Sequence, residues 1–127
     1  MPKAQENIQW GTLFCPAKTP IQERSLISPG EAQRIETIFK ILANATRLRL
    51  LHALARSSEL RVTEIAASIG MKPQAVSNQL QRLADRGILS SRREGTQIYY
   101  HIVDPCVVRI VEYGWCLIEE VEQRAGG

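Results

Sequence analysis

Residues 62–87 contain two helical patterns separated by a turn of a few residues, and this arrangement restricts the fold more than any other feature. The first pattern, VTEIAASIG, has apolar residues at helical spacing and stops at Gly70, a residue type that commonly ends helices. The second, PQAVSNQLQRLAD, opens with Pro73, which suits a first helical turn because its missing N–H would have no partner there. A short helix, a glycine-containing turn and a second helix predict a helix-turn-helix.

The second helix of this pair has an unusual outward face. Its apolar residues recur every three or four positions and are expected to pack inward: Val76, Leu80, Leu83 and Ala84. The outward positions hold amides, a hydroxyl and one arginine, where surface helices are usually rich in Glu and Lys: Gln74, Ser77, Asn78, Gln81 and Arg82. Amides and hydroxyls both donate and accept hydrogen bonds, as contact with the base edges of DNA requires. We therefore predict that this is a recognition helix.

The sequence that follows, ILSSRREGTQIYYHI, predicts a β-hairpin. Its second strand alternates in the manner of a strand with one buried face: Ile98, Tyr100 and Ile102. Glu94 and Gly95 supply the turn, and Arg92 and Arg93 are predicted at the tip, within reach of a phosphate backbone or a minor groove. A basic hairpin directly after a recognition helix predicts a winged helix-turn-helix, a mainly α fold with a β-hairpin wing. The alternative is a structural hairpin in another small α+β domain.

The rest of the chain predicts an arm and further helices. Residues 1–28 hold three of the six prolines and little periodicity, so they predict an irregular N-terminal arm. Residues 29–124 predict the winged-helix domain, and residues 125–127 a tail. The first helix of the domain carries apolar residues at helical spacing: Ala32, Ile35, Ile38, Phe39 and Leu42. The second starts from an Asn44 cap and is expected to bury one face: Leu48, Leu51 and Leu54.

Composition and charge narrow the class of function. The 127 residues, 44% hydrophobic and 23% charged, have the balance of one globular domain. Residues 61–101 hold six basic against three acidic residues, whereas residues 102–127 are acidic, so a nucleic-acid surface is expected in the middle of the chain. The sequence lacks a membrane span and a signal-peptide core, which predicts a cytoplasmic protein. No catalytic motif or phosphate loop is recognisable, so we expect neither an enzyme nor an organic cofactor or substrate.

Three segments resemble the successive signatures of the ArsR/SmtB family of metal-sensing winged-helix repressors: LANATRLRLLHAL, VTEIAASIGMKPQAVSNQLQRLADRGIL and RREGTQIYYHI. The resemblance covers residues 31 to about 124. It implies a homodimer that binds an imperfect palindrome of double-stranded operator DNA and releases it when a metal or another signal binds. Dimerisation is implied for the first helix and the last, residues 105–124. Transferred by position, the implied DNA contacts lie in the recognition helix and the wing: Gln74, Ser77, Asn78, Gln81, Arg92, Arg93 and Thr96.

The three cysteines, Cys15, Cys106 and Cys116, are the candidates for metal ligands. An odd number without an export signal does not predict a disulfide framework. Many members of the family have a cysteine pair before the recognition helix, but here ELRVTEIA has Arg61 and Thr63. One sensor class of the family binds metal through Asp-x-His near the start of the last helix and His-x-x-Glu or a similar pair near its end. DPCVVRIVEYGWCLIEE resembles that layout with cysteine for both histidines and one residue fewer between them, which favours soft ions over nickel, cobalt or manganese.

Cys106 and Cys116 of one chain cannot share an ion, because ten residues of helix rise about 15 Å and metal–sulfur bonds measure about 2.3 Å. If the last helices of two protomers run antiparallel across a two-fold axis, Cys106 of one faces Cys116 of the other. The midpoint between Asp104 and Glu119 lies at nearly the same point of the helix as the midpoint between Cys106 and Cys116. The antiparallel arrangement therefore brings Asp104 of one chain close to Glu119 of the other as well. Such a dimer has two equivalent sites. Two thiolates suffice for linear Hg(II), and Cys15 is a candidate third ligand for As(III) or Cd(II).

Three functions remain open from the sequence. The first is a repressor released by a thiophilic metal or metalloid, namely Hg(II), As(III) or Cd(II). The second is a redox-sensing repressor with an inter-chain disulfide between Cys106 and Cys116. The third is a winged-helix module that binds a protein and no DNA. The structural alternatives are a buried, apolar role for Cys116 and a first-turn position behind an Asp104 cap for Cys106. His101 is a weaker candidate ligand, and His52 is expected to be structural or solvated.

Overall fold

The computed structural model describes residues 19–126. After a 3-10 turn at Ile21–Glu23, these residues form five helices and three strands: α1 Pro29–Leu42, α2 Ala45–Ser57, β1 Leu60–Arg61, α3 Val62–Ile69, α4 Pro73–Asp85, β2 Leu89–Glu94, β3 Gln97–Ile102 and α5 Pro105–Gly126. The strands form an antiparallel sheet in the order β1-β3-β2. This is the winged helix-turn-helix with a hairpin wing that the sequence predicted.

The structure describes only part of the predicted arm and tail. Trp10, Phe14 and Cys15 of the predicted arm lie outside the described residues, and residues 19–28 are exposed. α1 begins at Pro29, where the domain was expected to start, and α5 continues to Gly126. None of the helices within residues 19–126 combines the length and the hydropathy that crossing a bilayer requires.

Local sequence explains where the helices begin and end. The Ser28 hydroxyl accepts a hydrogen bond from the Glu31 N–H at 3.1 Å, and the Glu31 carboxylate accepts one from the Ser28 N–H at 3.0 Å, a capping box for α1. The backbone hydrogen bond from Ser28 lowers the pKa of Glu31. Asn44 caps α2 as predicted, accepting from the Arg47 N–H at 3.0 Å. α3 ends at Gly70, whose φ of +67° is accessible to glycine.

The core lies where α2, α3 and α4 meet the sheet and the start of α5. Its fully buried side chains are Leu50, Leu51, Leu54, Ile65, Val76, Leu80 and Leu83. The prediction for Leu48 was wrong, since this side chain is 38% exposed and Leu50 is buried instead. On a helix of 3.6 residues per turn, Leu48 lies roughly 60° beyond Leu51, outside the arc from Leu50 to Leu51. It borders an open groove between α1, α2 and α5.

The first and last helices leave much of their apolar surface uncovered. α1 buries only Leu42, while Ile35, Ile38 and Phe39 are 43%, 46% and 53% exposed. α5 buries only Val108 and exposes a larger set: Tyr113, Trp115, Leu117, Ile118 and Val121. The groove between these helices has a volume of about 630 Å³. The apolar residues at helical spacing on α1 therefore form a surface that residues 19–126 of the same chain leave largely uncovered.

Candidate functional site

The recognition helix α4 presents the polar residues of its N-terminal half together. Gln74 and Asn78 are exposed, and Nε2 of Gln74 donates to Oδ1 of Asn78 at 3.1 Å. Ser77 is half-buried on the same side of the helix. In a helix-turn-helix, the N-terminal residues of the recognition helix contact base edges. The structure thus brings three of the predicted DNA contacts to the end of α4 that such contact requires.

Gln81, one turn further along, is bonded within the fold. Its Nε2 donates to Oδ1 of Asp85 at 2.9 Å, and its Oε1 accepts from the Tyr100 hydroxyl at 3.4 Å. Burial raises the pKa of Tyr100, which keeps that hydroxyl protonated and able to donate. Gln81 links α4 to the sheet in this way, and its contact with DNA stays a prediction.

The structure adds Lys72 as a candidate contact that the sequence analysis missed. Lys72 is exposed at the N-cap of α4, and the first turn of this helix carries no acidic residue. α1 and α3 differ, since each has a glutamate in its first turn: Glu31 and Glu64. A helix N-terminus attracts anions, and a neighbouring ammonium adds to that attraction. The lack of Asp and Glu after Lys72 was the available sequence signal.

The wing is the hairpin of β2 and β3. Glu94 pairs with Gln97 at its end, and Gly95, with φ +65°, and Thr96 form the turn. Arg93 pairs with Ile98 and is exposed. No carboxylate within residues 19–126 lies at ion-pair distance from Arg93. Its charge is therefore available to an external anion.

Arg92 has a different environment from Arg93. Its Nε and Nη2 donate to the two carboxylate oxygens of Glu59 at 3.0 and 2.9 Å, and its Nη1 donates to Glu94 at 2.9 Å. The guanidinium carbon lies 4.5 Å from the centre of the Tyr99 ring. The hydrogen bonds to Glu59 and Glu94 raise the pKa of Arg92, and the bond from Arg92 lowers the pKa of Glu59. The charge of Arg92 is thus balanced by its own chain.

Arg47 joins the recognition helix to α1. Its Nε donates to Oε1 of Gln79 in α4 at 3.1 Å, and its Nη1 donates to the carbonyl of Ile41 in the last turn of α1 at 3.0 Å. The side chain is half-buried. No local sequence pattern indicates this bridge, because the partners of Arg47 are set by tertiary packing.

Cys106 and Cys116 lie on one unbroken helix, α5. Ten residues of helical rise therefore hold them about 15 Å apart in one chain. The Cys106 N–H donates to Oδ1 of Asp104 at 2.8 Å, which is the predicted cap. Cys106 is disulfide-bonded in the structure, and Cys116 is the free cysteine of the described residues. Cys116 is exposed, so it has no buried apolar role within one chain, and Cys15 lies outside the described residues.

Cys116 has glutamates of the following helical turn and a tryptophan as neighbours. A shallow pocket contains Cys116 with Glu119, Glu120 and other polar side chains of the last turns of α5. Trp115, the preceding residue, lies 5.8 Å from the ring of His52 in α2, measured between ring centroids. No three His, Cys, Asp or Glu side chains of residues 19–126 are arranged to hold a metal ion.

Comparisons with known proteins agree with this geometry. A sequence model described as the MarR family matches residues 44–97. The chain is 38% identical over 85 residues to the transcriptional repressor SmtB homolog of Synechocystis sp., a match that spans 67% of this chain and 64% of that repressor. It is 31% identical over 98 residues to the cadmium resistance transcriptional regulatory protein CadC of Listeria innocua, spanning 77% of this chain and 82% of CadC.

Two solved structures extend the comparison. The AntR antimony-specific transcriptional repressor has a TM-score of 0.75 and 63% sequence identity, covering 87% of this chain and 99% of AntR. The homodimeric winged helix-turn-helix DNA-binding domain Mb0332 from Mycobacterium bovis, a possible ArsR-family regulator, has a TM-score of 0.65 and 32% identity, covering 80% and 95%.

The fold, the polar recognition helix and these relatives define a winged-helix transcriptional regulator. The chain belongs to the ArsR/SmtB family, as the resemblance of its three sequence segments indicated. Members of this family are DNA-binding regulators, which confirms the expectation that the chain is not an enzyme. Two of the relatives are named for a metal or metalloid, CadC for cadmium resistance and AntR for antimony.

Proposed function

We propose that this protein is a repressor that binds palindromic operator DNA as a homodimer and releases it when a thiophilic metalloid binds its cysteine thiolates. The observation that carries the proposal is the placement of Cys106 and Cys116 on α5, a helix whose apolar surface is largely uncovered by residues 19–126 of the same chain. A second copy that covers this surface also supplies the second thiolate.

The uncovered surfaces of α1 and α5 support the homodimer. Phe39 of α1 and Trp115 and Leu117 of α5 are 53%, 49% and 65% exposed, and all three border one groove. Soluble monomers rarely leave a large contiguous apolar patch in water. In a two-fold dimer formed by these helices, Cys106 of one chain faces Cys116 of the other, and the site occurs twice. Binding an ion at this site requires that the disulfide of Cys106 be reduced first, because only a thiolate is a ligand.

The ligand chemistry supports a soft ion, with Sb(III) and As(III) foremost. Thiolates select soft ions, and the solved structure with 63% identity is that of an antimony-specific repressor. Trivalent metalloids take three thiolates, for which we propose Cys106, Cys116 and Cys15. Cd(II) and Hg(II) are the alternatives that the same donors accept. Antimony was absent from the ions that the sequence suggested and enters through this comparison.

The proposed DNA surface consists of the start of α4 and the tip of the wing. The recognition helix supplies contacts to base edges and phosphates of the major groove: Lys72, Gln74, Ser77, Asn78 and Gln81. Arg93 and Thr96 of the wing contact the adjacent backbone. Binding of the ion at α5 changes the preferred dimer shape, and such coupling is typically about 1–3 kcal/mol, or roughly 5- to 150-fold in DNA affinity.

The test is operator release by single ions. A duplex is selected by the wild-type protein from a random-sequence pool, and its affinity is measured with Sb(III), As(III), Cd(II), Hg(II) and Zn(II) under a phosphine reductant. We expect Sb(III) or As(III) to release the duplex from the wild type but not from Cys106→Ser or Cys116→Ser. Loss of release in Cys15→Ser as well establishes three-thiolate binding. Wild-type protein that holds the duplex equally with and without every ion contradicts the proposal.

A redox-sensing repressor is the second candidate, because Cys106 is disulfide-bonded in the structure, although not in the predicted pair, since Cys116 is free. In that case, oxidation of two thiols to a disulfide releases the DNA, and a reductant restores binding. Adding the thiol oxidant diamide in the absence of metal distinguishes redox sensing from metal sensing. Release by diamide together with no release by any ion favours redox sensing.

A further inference from the structure

We propose that Glu59 is a positioning residue for DNA binding, which holds the wing in place through Arg92. In this role, Arg92 forms its ion pairs within its own chain, and Arg93 is the wing arginine that contacts DNA phosphate. The inference rests on the proposed DNA-binding function and deepens it.

The contact runs across the whole sheet. In the order β1-β3-β2, Arg92 of β2 pairs with Tyr99 of β3, and Tyr99 pairs with Arg61 of β1. Glu59 lies just before β1, on the far side of the sheet from β2. The Arg92 side chain therefore passes over the Tyr99 ring, 4.5 Å from its centre, to reach Glu59. One guanidinium connects the edge strand of the wing to the segment that follows α2.

The ion pair between Arg92 and Glu59 is bidentate. Nε and Nη2 each donate to a different oxygen of the same carboxylate, at 3.0 and 2.9 Å. A forked pair of this kind fixes orientation as well as distance, unlike a single exposed ion pair. The Glu94 carboxylate takes the third donor, Nη1, at 2.9 Å. Few donors of Arg92 remain for phosphate.

A strained turn places Glu59 for this contact. Ser58 has φ +54° and ψ −49°, and the Glu59 N–H donates to the Ser57 carbonyl at 2.5 Å, which makes a γ-turn at Ser58. Ser58 is the non-glycine residue with positive φ among residues 19–126. This type of γ-turn is rare and costs conformational energy, and such strain is commonly found where a function needs a fixed geometry.

Charge and positioning predict opposite effects when Glu59 loses its charge. Glu59 and Glu94 are both carboxylates beside a surface that is proposed to approach phosphates, so removing either charge favours DNA binding electrostatically. If Glu59 positions the wing, its removal weakens binding despite that gain. Glu94 is the matched control, because it also pairs with Arg92 but lies within the wing itself.

The experiment compares Glu59→Gln with Glu94→Gln in the full-length dimer. The probe is the duplex selected by the wild-type protein, with affinity measured by fluorescence anisotropy. We expect Glu59→Gln to bind about three- to five-fold more weakly than the wild type. We expect Glu94→Gln to bind equally or more tightly. Glu59→Gln protein that binds as tightly as the wild type, or more tightly, overturns the proposal.

A charge exchange separates positioning from direct contact. The single change Arg92→Glu loses affinity under either role. Adding Glu59→Arg to it restores an ion pair at the same place, so we expect the double variant to recover most of the affinity. The matched control is Arg92→Glu with Glu94→Arg, which has the same net charge but no ion pair at Glu59. If Arg92 contacts phosphate, the variant with Glu59→Arg recovers no more affinity than this control, which contradicts the proposal.

Amide hydrogen exchange of the DNA-free protein gives a readout that does not depend on the proposed function. We expect faster exchange across β2 and β3 in Glu59→Gln and unchanged exchange in Glu94→Gln. If the wild type selects no duplex, the proposed function fails while this comparison still tests the contact. Equal exchange in wild type and Glu59→Gln removes the positioning role.

Discussion

Truncating Leu117 tests the proposed dimer interface quantitatively. This side chain of α5 is 65% exposed in one chain and borders the groove between α1 and α5. Burying a whole leucine side chain is worth about 1.5–3 kcal/mol, so covering this exposed part is worth about 1–2 kcal/mol. A two-fold interface buries it twice, which gives about 2–4 kcal/mol per dimer. At about 1.4 kcal/mol per factor of ten, Leu117→Ala raises the dimer dissociation constant by roughly 30- to 700-fold.

Sedimentation velocity across a dilution series measures this dissociation constant. The matched control is Val103→Ala, because Val103 is 51% exposed but lies between β3 and α5, outside both interface helices. We expect the control to dimerise as the wild type does, and circular dichroism to show both variants folded. An unchanged dissociation constant in Leu117→Ala refutes the reasoning that assigns the exposed apolar side of α5 to a second copy.

Three further predictions concern the wing, the α1 to α4 bridge and acid stability. Arg93→Glu is expected to weaken operator binding and to lower the slope of log affinity against log salt by about 0.9 or more; an unchanged slope contradicts a phosphate contact. Arg47→Met is expected to lower the free energy of unfolding in urea by about 1–3 kcal/mol, because it removes the bonds to Gln79 and Ile41, whereas Arg56→Met, at an exposed position of the same helix, is expected to change it little. The pKa values of Glu31, Glu59 and Glu64 are held below their ordinary value of 4.5 by hydrogen bonds, so their stabilisation is complete above that pH and is lost as the pH falls below it. Urea titrations from pH 7 to pH 3 check the sign, and stability that rises on acidification contradicts it.

Local patterns were enough to predict the elements that carry the DNA surface. Gly70 and Pro73 define the turn between α3 and α4 by backbone chemistry alone, and the alternation around Gly95 defines the wing. These signals are short-range, so they can be read without knowing what packs against each element. The family resemblance rested on the same segments.

The contacts that sequence reasoning missed join residues far apart in the chain. Arg92 and Glu59 are 33 residues apart, and Arg47 and Gln79 are 32 apart, so no local pattern indicates either pair. Leu48 was expected in the core because a helical wheel does not say how wide the buried arc is. The Cys106 and Cys116 site depends on a second chain, and helical rise could exclude an intra-chain site but could not describe the partner's arrangement.

A mixed dimer tests the inter-chain thiolate site most directly. One subunit carries Cys106→Ser and the other Cys116→Ser, and the two are purified together by different affinity tags. If each site joins Cys106 of one chain to Cys116 of the other, the mixed dimer retains one intact site, whereas either homodimeric variant retains none. We therefore expect one tightly bound Sb(III) per mixed dimer, two per wild-type dimer and none in the homodimeric variants, counted by elemental analysis after gel filtration. A mixed dimer that binds no Sb(III), like its homodimeric parents, contradicts the account.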